Sequence, residues 1–115
     1  MMKHTIYHNA RCKKSREGLE LLKNSGKEFV IREYLKDPLS AKELEQLLAK
    51  LSYAPIQLVR TGEKVWKENY KGKDLSEDEL IHITVENPKL IERPIVENDK
   101  NAVVGRPATE IDKLL

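Results

Sequence analysis

The segment "YHNARCKKSR", residues 7–16, carries the only cysteine of the chain, Cys12, with Arg11, Lys13, Lys14 and Arg16 around it. A cysteine acts as a nucleophile or redox group through its thiolate, which needs nearby positive charge, a helix N-terminus or hydrogen-bond donors to persist near neutrality. Free cysteines are more often small buried residues with no chemistry. Four basic neighbours do not belong on a core-facing stretch, however, so one side of this loop meets water. A fall in pKa from about 8.5 to about 6.5 would raise the thiolate share at pH 7 from a few per cent to about three quarters. That is about 2.7 kcal/mol of differential stabilisation, within reach of a helix terminus and one or two donors. Ser15 can return a hydroxyl to the sulfur, and His8 is close enough in sequence to add a donor. Either residue alone is nonspecific, since serines and histidines near turns are commonly caps or surface groups.

A second constellation is arginine: Arg60 in "LVR", Arg93 in "ERPI" and Arg106 in "GRPA". Any one of them is explained by surface coverage. In combination they suggest more, because Arg93 and Arg106 each precede a proline, which fixes an extended backbone at the arginine and so aims its side chain. Planar guanidinium groups bind tetrahedral oxyanions bidentately, the partner a basic cysteine loop would also attract. A metal site is a poorer reading. His4, His8 and Cys12 are spaced four apart, but on a strand His4 and His8 lie about 13 Å from each other, too far for one ion. No Cys-x-x-Cys accompanies them, so no metal is expected.

These residues need elements to position them. "KHTIYH", residues 3–8, reads as a short strand, and "KKSREGLELLKNSG" as a helix starting near Lys13 with Gly26 as its C-cap. "EFVIREY", residues 28–34, is β-rich, so a parallel βαβ unit places Cys12 at the start of its helix. Ser40 with Glu43 and Ser76 with Glu79 are capping-box patterns, and Leu44, Leu47, Leu48 and Leu51 form an apolar stripe at helical spacing. Residues 39–90 are thus mostly helical, with "APIQLVRTGEK" as a broken connection. "PIV" and "AVV" then read as a β-hairpin, and "RPATEIDKLL" as a closing helix with Pro107 near its first turn.

Composition sets the outer bounds. A chain of 115 residues suits one domain, residues 1–115, with the helical block as an elaboration of it. The balance of 21 Lys and Arg against 19 Asp and Glu leaves +2, too little for multi-phosphate neutralisation, so no nucleic-acid partner is expected. No apolar run approaches membrane-spanning length, and the N-terminus lacks the apolar core of a secretory signal, which makes a cytoplasmic location the default. A single cysteine forms no internal disulfide.

Cys12-x-x-Ser15-Arg16, "LVR" at 58–60, "NPKLIERPIV" at 87–96 and "GRPATE" at 105–110 closely resemble the glutaredoxin-coupled arsenate reductase (ArsC-like) family, in that family's order and over nearly the whole chain. The resemblance implies an α/β thioredoxin-like fold, with βαβ and ββα halves sharing a mixed sheet and a helical insertion at about residues 39–90. It implies a cis Arg93–Pro94 bond. It further implies an oxidoreductase in which Cys12 attacks arsenate to form a thioarsenate adduct that glutathione and then glutaredoxin resolve to arsenite. Arg60, Arg93 and Arg106 would hold the oxyanion, and His8, Asn9 and Ser15 would support the thiolate. No bound cofactor is implied; glutathione is a co-substrate, glutaredoxin the partner, and a monomer the expected state. Lys13 and Lys14 depart from the small residues often found there in such reductases. Relatives include glutathione-dependent thiol–disulfide reductases and regulators that bind RNA polymerase. The latter typically carry a Cys-x-x-Cys switch, which Ser15 interrupts here.

Overall fold

The computed structural model describes residues 3–115. Its contacts divide the chain into two compact units, one formed by the chain up to Asp37 together with Arg93–Leu115, the other by Pro38–Glu92. The second therefore interrupts the first in sequence, at the limits expected of the helical insertion.

The first unit is built on four strands, β1 (His4–Tyr7), β2 (Phe29–Arg32), β3 (Ile95–Glu97) and β4 (Ala102–Val104), in the order β2-β1-β3-β4. β1 runs parallel to β2, and β3 is antiparallel to both β1 and β4. Between β1 and β2 lies helix α1 (Lys13–Ser25), which a parallel pair requires as a crossover. α1 stops where expected, at Gly26 in the left-handed conformation with φ of 73°. Ile6, Leu22, Val96 and Ile111 are fully buried and form the core, with Leu19, Phe29 and Val103 packed against them. Each such side chain contributes roughly 2 kcal/mol by leaving water. Gly18 lets α1 lie close to the start of β3, since a Cβ there would come 2.8 Å from Pro94 Cγ. This is the thioredoxin-like arrangement, with a four-stranded mixed sheet.

Two elements of this unit end differently from the sequence expectation. β2 stops at Arg32, and Glu33 O then accepts from Lys36 N and Asp37 N, folding "EYLKD" into a turn with Tyr34 fully buried. The closing segment is a 3₁₀ helix, Ala108–Leu114, where an ordinary helix was expected, and Pro107 stands at its N-cap, next to the first turn as expected. Both bonds Arg93–Pro94 and Arg106–Pro107 are cis; the resemblance implied only the first.

The second unit holds α2 (Ala41–Leu51), α3 (Pro55–Leu58), α4 (Lys64–Asn69), α5 (Glu77–Glu86) and a 3₁₀ turn, Pro88–Leu90. Both capping boxes form: Ser40 Oγ accepts from Glu43 N and Ser76 Oγ from Glu79 N, each at 3.1 Å, and each glutamate returns a bond to the serine N–H. Those bonds hold the Glu79 carboxyl below its ordinary pKa. The stripe of Leu44, Leu47, Leu48 and Leu51 is buried as its spacing requires. The "broken connection" is more ordered than its sequence suggests: it contains α3, enters α4 and pairs Val59 with Ile91 in an isolated bridge. Val59, Trp66, Leu80 and Leu90 form a second core cluster.

Candidate active site

The site begins where β1 ends. His8 N donates to Arg32 O at 2.9 Å, carrying the parallel ladder one residue beyond Tyr7, and the chain then turns: Cys12 N donates to Asn9 O and Arg11 N to Asn9 Oδ1, each at 3.0 Å. Asn9 thus shapes the loop from both its backbone and its side chain. Arg16 Nη1 donates to Ala10 O at 2.9 Å from the far side of the turn. The outcome is that Cys12 is the N-cap residue of α1, extended at φ −95° and ψ 122°, and its carbonyl accepts the first helical bond from Arg16 N.

This position explains the electrostatics of a half-buried thiol. Burial raises the Cys12 pKa, but hydrogen bonding from Ser15 N–H, the Arg93 side chain and Lys14 N–H, together with the Arg93 charge, outweighs it, so the pKa lies below the ordinary thiol value. The first turn of α1 contains no acidic residue to compete with a thiolate for its unpaired N–H groups.

Ser15 acts on the sulfur differently from the sequence expectation. Its fully buried hydroxyl is hydrogen-bonded to His8 Nδ1 at 2.7 Å and accepts from Asn9 N at 3.0 Å, while it is the backbone N–H of Ser15 that serves Cys12. His8, expected as a direct donor, instead ties the end of β1 to the first turn of α1 through that hydroxyl. Burial lowers the His8 pKa against Glu33 and Ser15, which raise it, and Arg16 and Lys23 lower it further. The imidazole is therefore neutral at pH 7. Glu33 is a participant that the sequence reading missed. The available signal was topological: a residue just after β2 in a parallel βαβ unit lies beside the loop that follows β1. His8, Asn9, Arg11, Glu33 and Lys36 line a cavity of about 330 Å³ there.

Arg93 reaches Cys12 because of sheet register. Tyr7 pairs with Ile95, so the antiparallel strand brings the residues before β3 alongside the loop after β1. Arg106 follows from the next pairing: Gly105 N donates to Pro94 O at 2.8 Å, and Arg106 Nη1 donates to Arg93 O at 3.2 Å. Cys12, Ser15, His8, Asn9, Arg93 and Arg106 thus belong to one connected set within the first unit. Arg60 lies in the second unit, where its N–H donates to Leu90 O at 2.7 Å and its Nε is 3.4 Å from Glu63 Oε1.

Cys12 thus stands at a helix start and is hydrogen-bonded by Arg93, the residue before a cis-proline, and comparison with known proteins narrows what this arrangement serves. Residues 7–114 match the ArsC family. The chain belongs to that family. A curated relative, "Arsenate reductase" of Haemophilus influenzae, is 41% identical over 112 residues, covering 96% of this chain and 97% of its own. "Uncharacterized protein YfgD" of Escherichia coli K12 is 45% identical over 108 residues, with 92% and 91% covered. Among solved structures, "Arsenate reductase from Vibrio cholerae" superimposes with a TM-score of 0.93 at 40% identity, covering 99% of this chain and 98% of that one. In this ArsC-family chain, therefore, the thioredoxin-like fold and the Cys12 loop occur together.

Proposed function

We propose that this ArsC-family protein reduces arsenate to arsenite with Cys12 as nucleophile and with glutathione and glutaredoxin as the electron donors. The observation that carries the reading is Cys12 at the N-cap of α1, its pKa lowered by two backbone N–H groups and Arg93. The full-length likeness to proteins named arsenate reductase supports the choice of oxyanion.

In the proposed reaction the Cys12 thiolate attacks arsenic(V) and an arsenate oxygen leaves as water, giving a sulfur–arsenic bond. A thiolate and an oxyanion repel each other, so fixed positive groups must offset the approach. We assign that work to Arg93 and Arg106 together with the start of α1. For Arg60 the family resemblance alone supports an oxyanion role. His8, Asn9 and Ser15 act as positioning residues that hold the loop. Arsenic then gains two electrons and departs as arsenite; they come from one glutathione thiol and one glutaredoxin thiol, which leave as a mixed disulfide, and Cys12 returns as thiolate. Two outside thiols are needed because the chain has no second cysteine.

An NADPH-coupled assay with glutathione, glutathione reductase and glutaredoxin tests this. Arsenate-dependent turnover is expected, falling to background in Cys12→Ser. No arsenate dependence in the wild type, or full activity in Cys12→Ser, would overturn it; turnover of glutathionylated disulfides instead would mark a thiol–disulfide reductase.

A further inference from the structure

The loop from β1 to Cys12 carries a cation that the chemistry above leaves unused. Arg11 is exposed, and its guanidinium makes no hydrogen bond or ion pair among the described residues; only its backbone N–H is engaged, donating to Asn9 Oδ1. It lines the cavity of about 330 Å³ that Asn9, Ala10 and Leu35 also line. The other charged groups there cancel each other, since Glu33 Oε1 lies 3.8 Å from Lys36 Nζ, and the buried imidazole of His8 is neutral. The cavity therefore offers one uncompensated positive charge beside the apolar side chain of Leu35, on the residue directly before the nucleophile. Its volume is at the lower end of small-molecule sites, which run from about 300 to about 1,000 Å³, so it suits one arm of an extended ligand.

We infer that this cavity seats the glycine end of glutathione, with the terminal carboxylate on the Arg11 guanidinium and the thiol directed to Cys12. The inference rests on the proposed exchange between Cys12 and glutathione, and adds where that thiol donor is held. Glutathione has two carboxylates in different surroundings. The γ-glutamyl carboxylate shares its carbon with an ammonium group, which calls for an anionic partner; the one carboxylate among the lining residues, Glu33, is already paired with Lys36. The glycyl carboxylate is a lone anion, which an unpaired guanidinium binds bidentately. The lengths agree as well: glycine is one peptide unit from the cysteine of glutathione, and Arg11 is one residue from Cys12.

Thiol–disulfide exchange reads this seat without arsenate. The Cys12 thiolate attacks one sulfur of glutathione disulfide, a Cys12–glutathione disulfide forms, and the other half leaves as glutathione thiolate. The rate is followed by intact mass with three probes: glutathione disulfide, the disulfide of γ-glutamylcysteine, which has the same net charge but no glycine, and uncharged hydroxyethyl disulfide. Each rate is divided by that of mercaptoethanol with the same probe, which removes the probe's intrinsic reactivity. The wild type is expected to favour glutathione disulfide about ten-fold over the γ-glutamylcysteine probe. Arg11→Gln, which keeps the backbone N–H, should abolish that preference, Arg11→Lys should retain part of it, and neither should alter the rate with hydroxyethyl disulfide. A wild type without the preference, a preference that survives in Arg11→Gln, or an equal loss with all three probes would overturn the inference. The preference and its loss in Arg11→Gln, found in a protein without arsenate turnover, would support the seat and refute only the arsenate reading.

Discussion

The two units of this chain bury different things. In the helical unit, Pro38–Glu92, the buried residues are leucines, isoleucine, valine and tryptophan, and its one buried polar side chain among the described residues, Thr84, is satisfied locally by donating to Leu80 O at 2.7 Å. The sheet unit buries His4, His8, Ser15 and Asn98, and spends two of them on joining β1 to the start of α1. Polar burial costs free energy unless bonded. Its presence where Cys12 sits indicates that the sheet unit gives up packing freedom to fix a loop, whereas the helical unit is organised for stability.

Substitutions can break or sharpen this contrast. The largest effect is expected from Leu47→Ala in α2, which should cost about 2–5 kcal/mol in denaturant unfolding by leaving a cavity in the leucine stripe. Next comes Arg93→Ala, which should lower kcat/KM for arsenate about 10²-fold, equivalent to about 2.7 kcal/mol of transition-state stabilisation. Its effect should appear in kinetics more than in stability. Ser40→Ala should remove about 1 kcal/mol of stability through loss of the capping box.

The smallest effect is a pH dependence. The His8 pKa is lowered by folding, so below about 6.5 the unfolded chain takes up a proton that the folded chain resists, and stability declines as pH falls. His8→Gln should flatten the stability profile in that range. Cys12 works in another window: its folded pKa is also depressed, so its contribution is complete above about 8.5 and is lost as pH falls through the folded value.

Legibility in the sequence followed the same division. The helical unit was readable because its signals are local: Ser-x-x-Glu predicts a cap, and leucines at three- and four-residue spacing predict a buried face. Both hold at α2. α4 falls in the block expected to be mostly helical, but six residues with one buried tryptophan give no periodicity from which to set its limits. In the sheet unit, Cys12 at a helix start was legible from strand, loop and helix patterns alone. The partner of the Ser15 hydroxyl was not. Sequence proximity placed it on the sulfur, while the continuation of the β1 ladder to His8 gives it to the imidazole. Glu33 and the contact of Arg106 with Arg93 O depend on strand order and register, which become known only when the sheet is assembled. The closing 3₁₀ helix was expected as an ordinary helix; the three-residue spacing of its Ile111 and Leu114 is common to both and does not distinguish them.

The central claim is that the start of α1, through the Ser15 N–H, and Arg93 together hold the Cys12 pKa below the ordinary thiol value. The direct test is titration of thiolate absorbance near 240 nm, for which Cys12→Ser supplies the blank because the chain has no other cysteine. The account predicts a Cys12 pKa below the ordinary value of about 8.5, moving up toward it in Arg93→Gln. A wild-type value at or above about 8.5, or one that Arg93→Gln leaves unchanged, would contradict it.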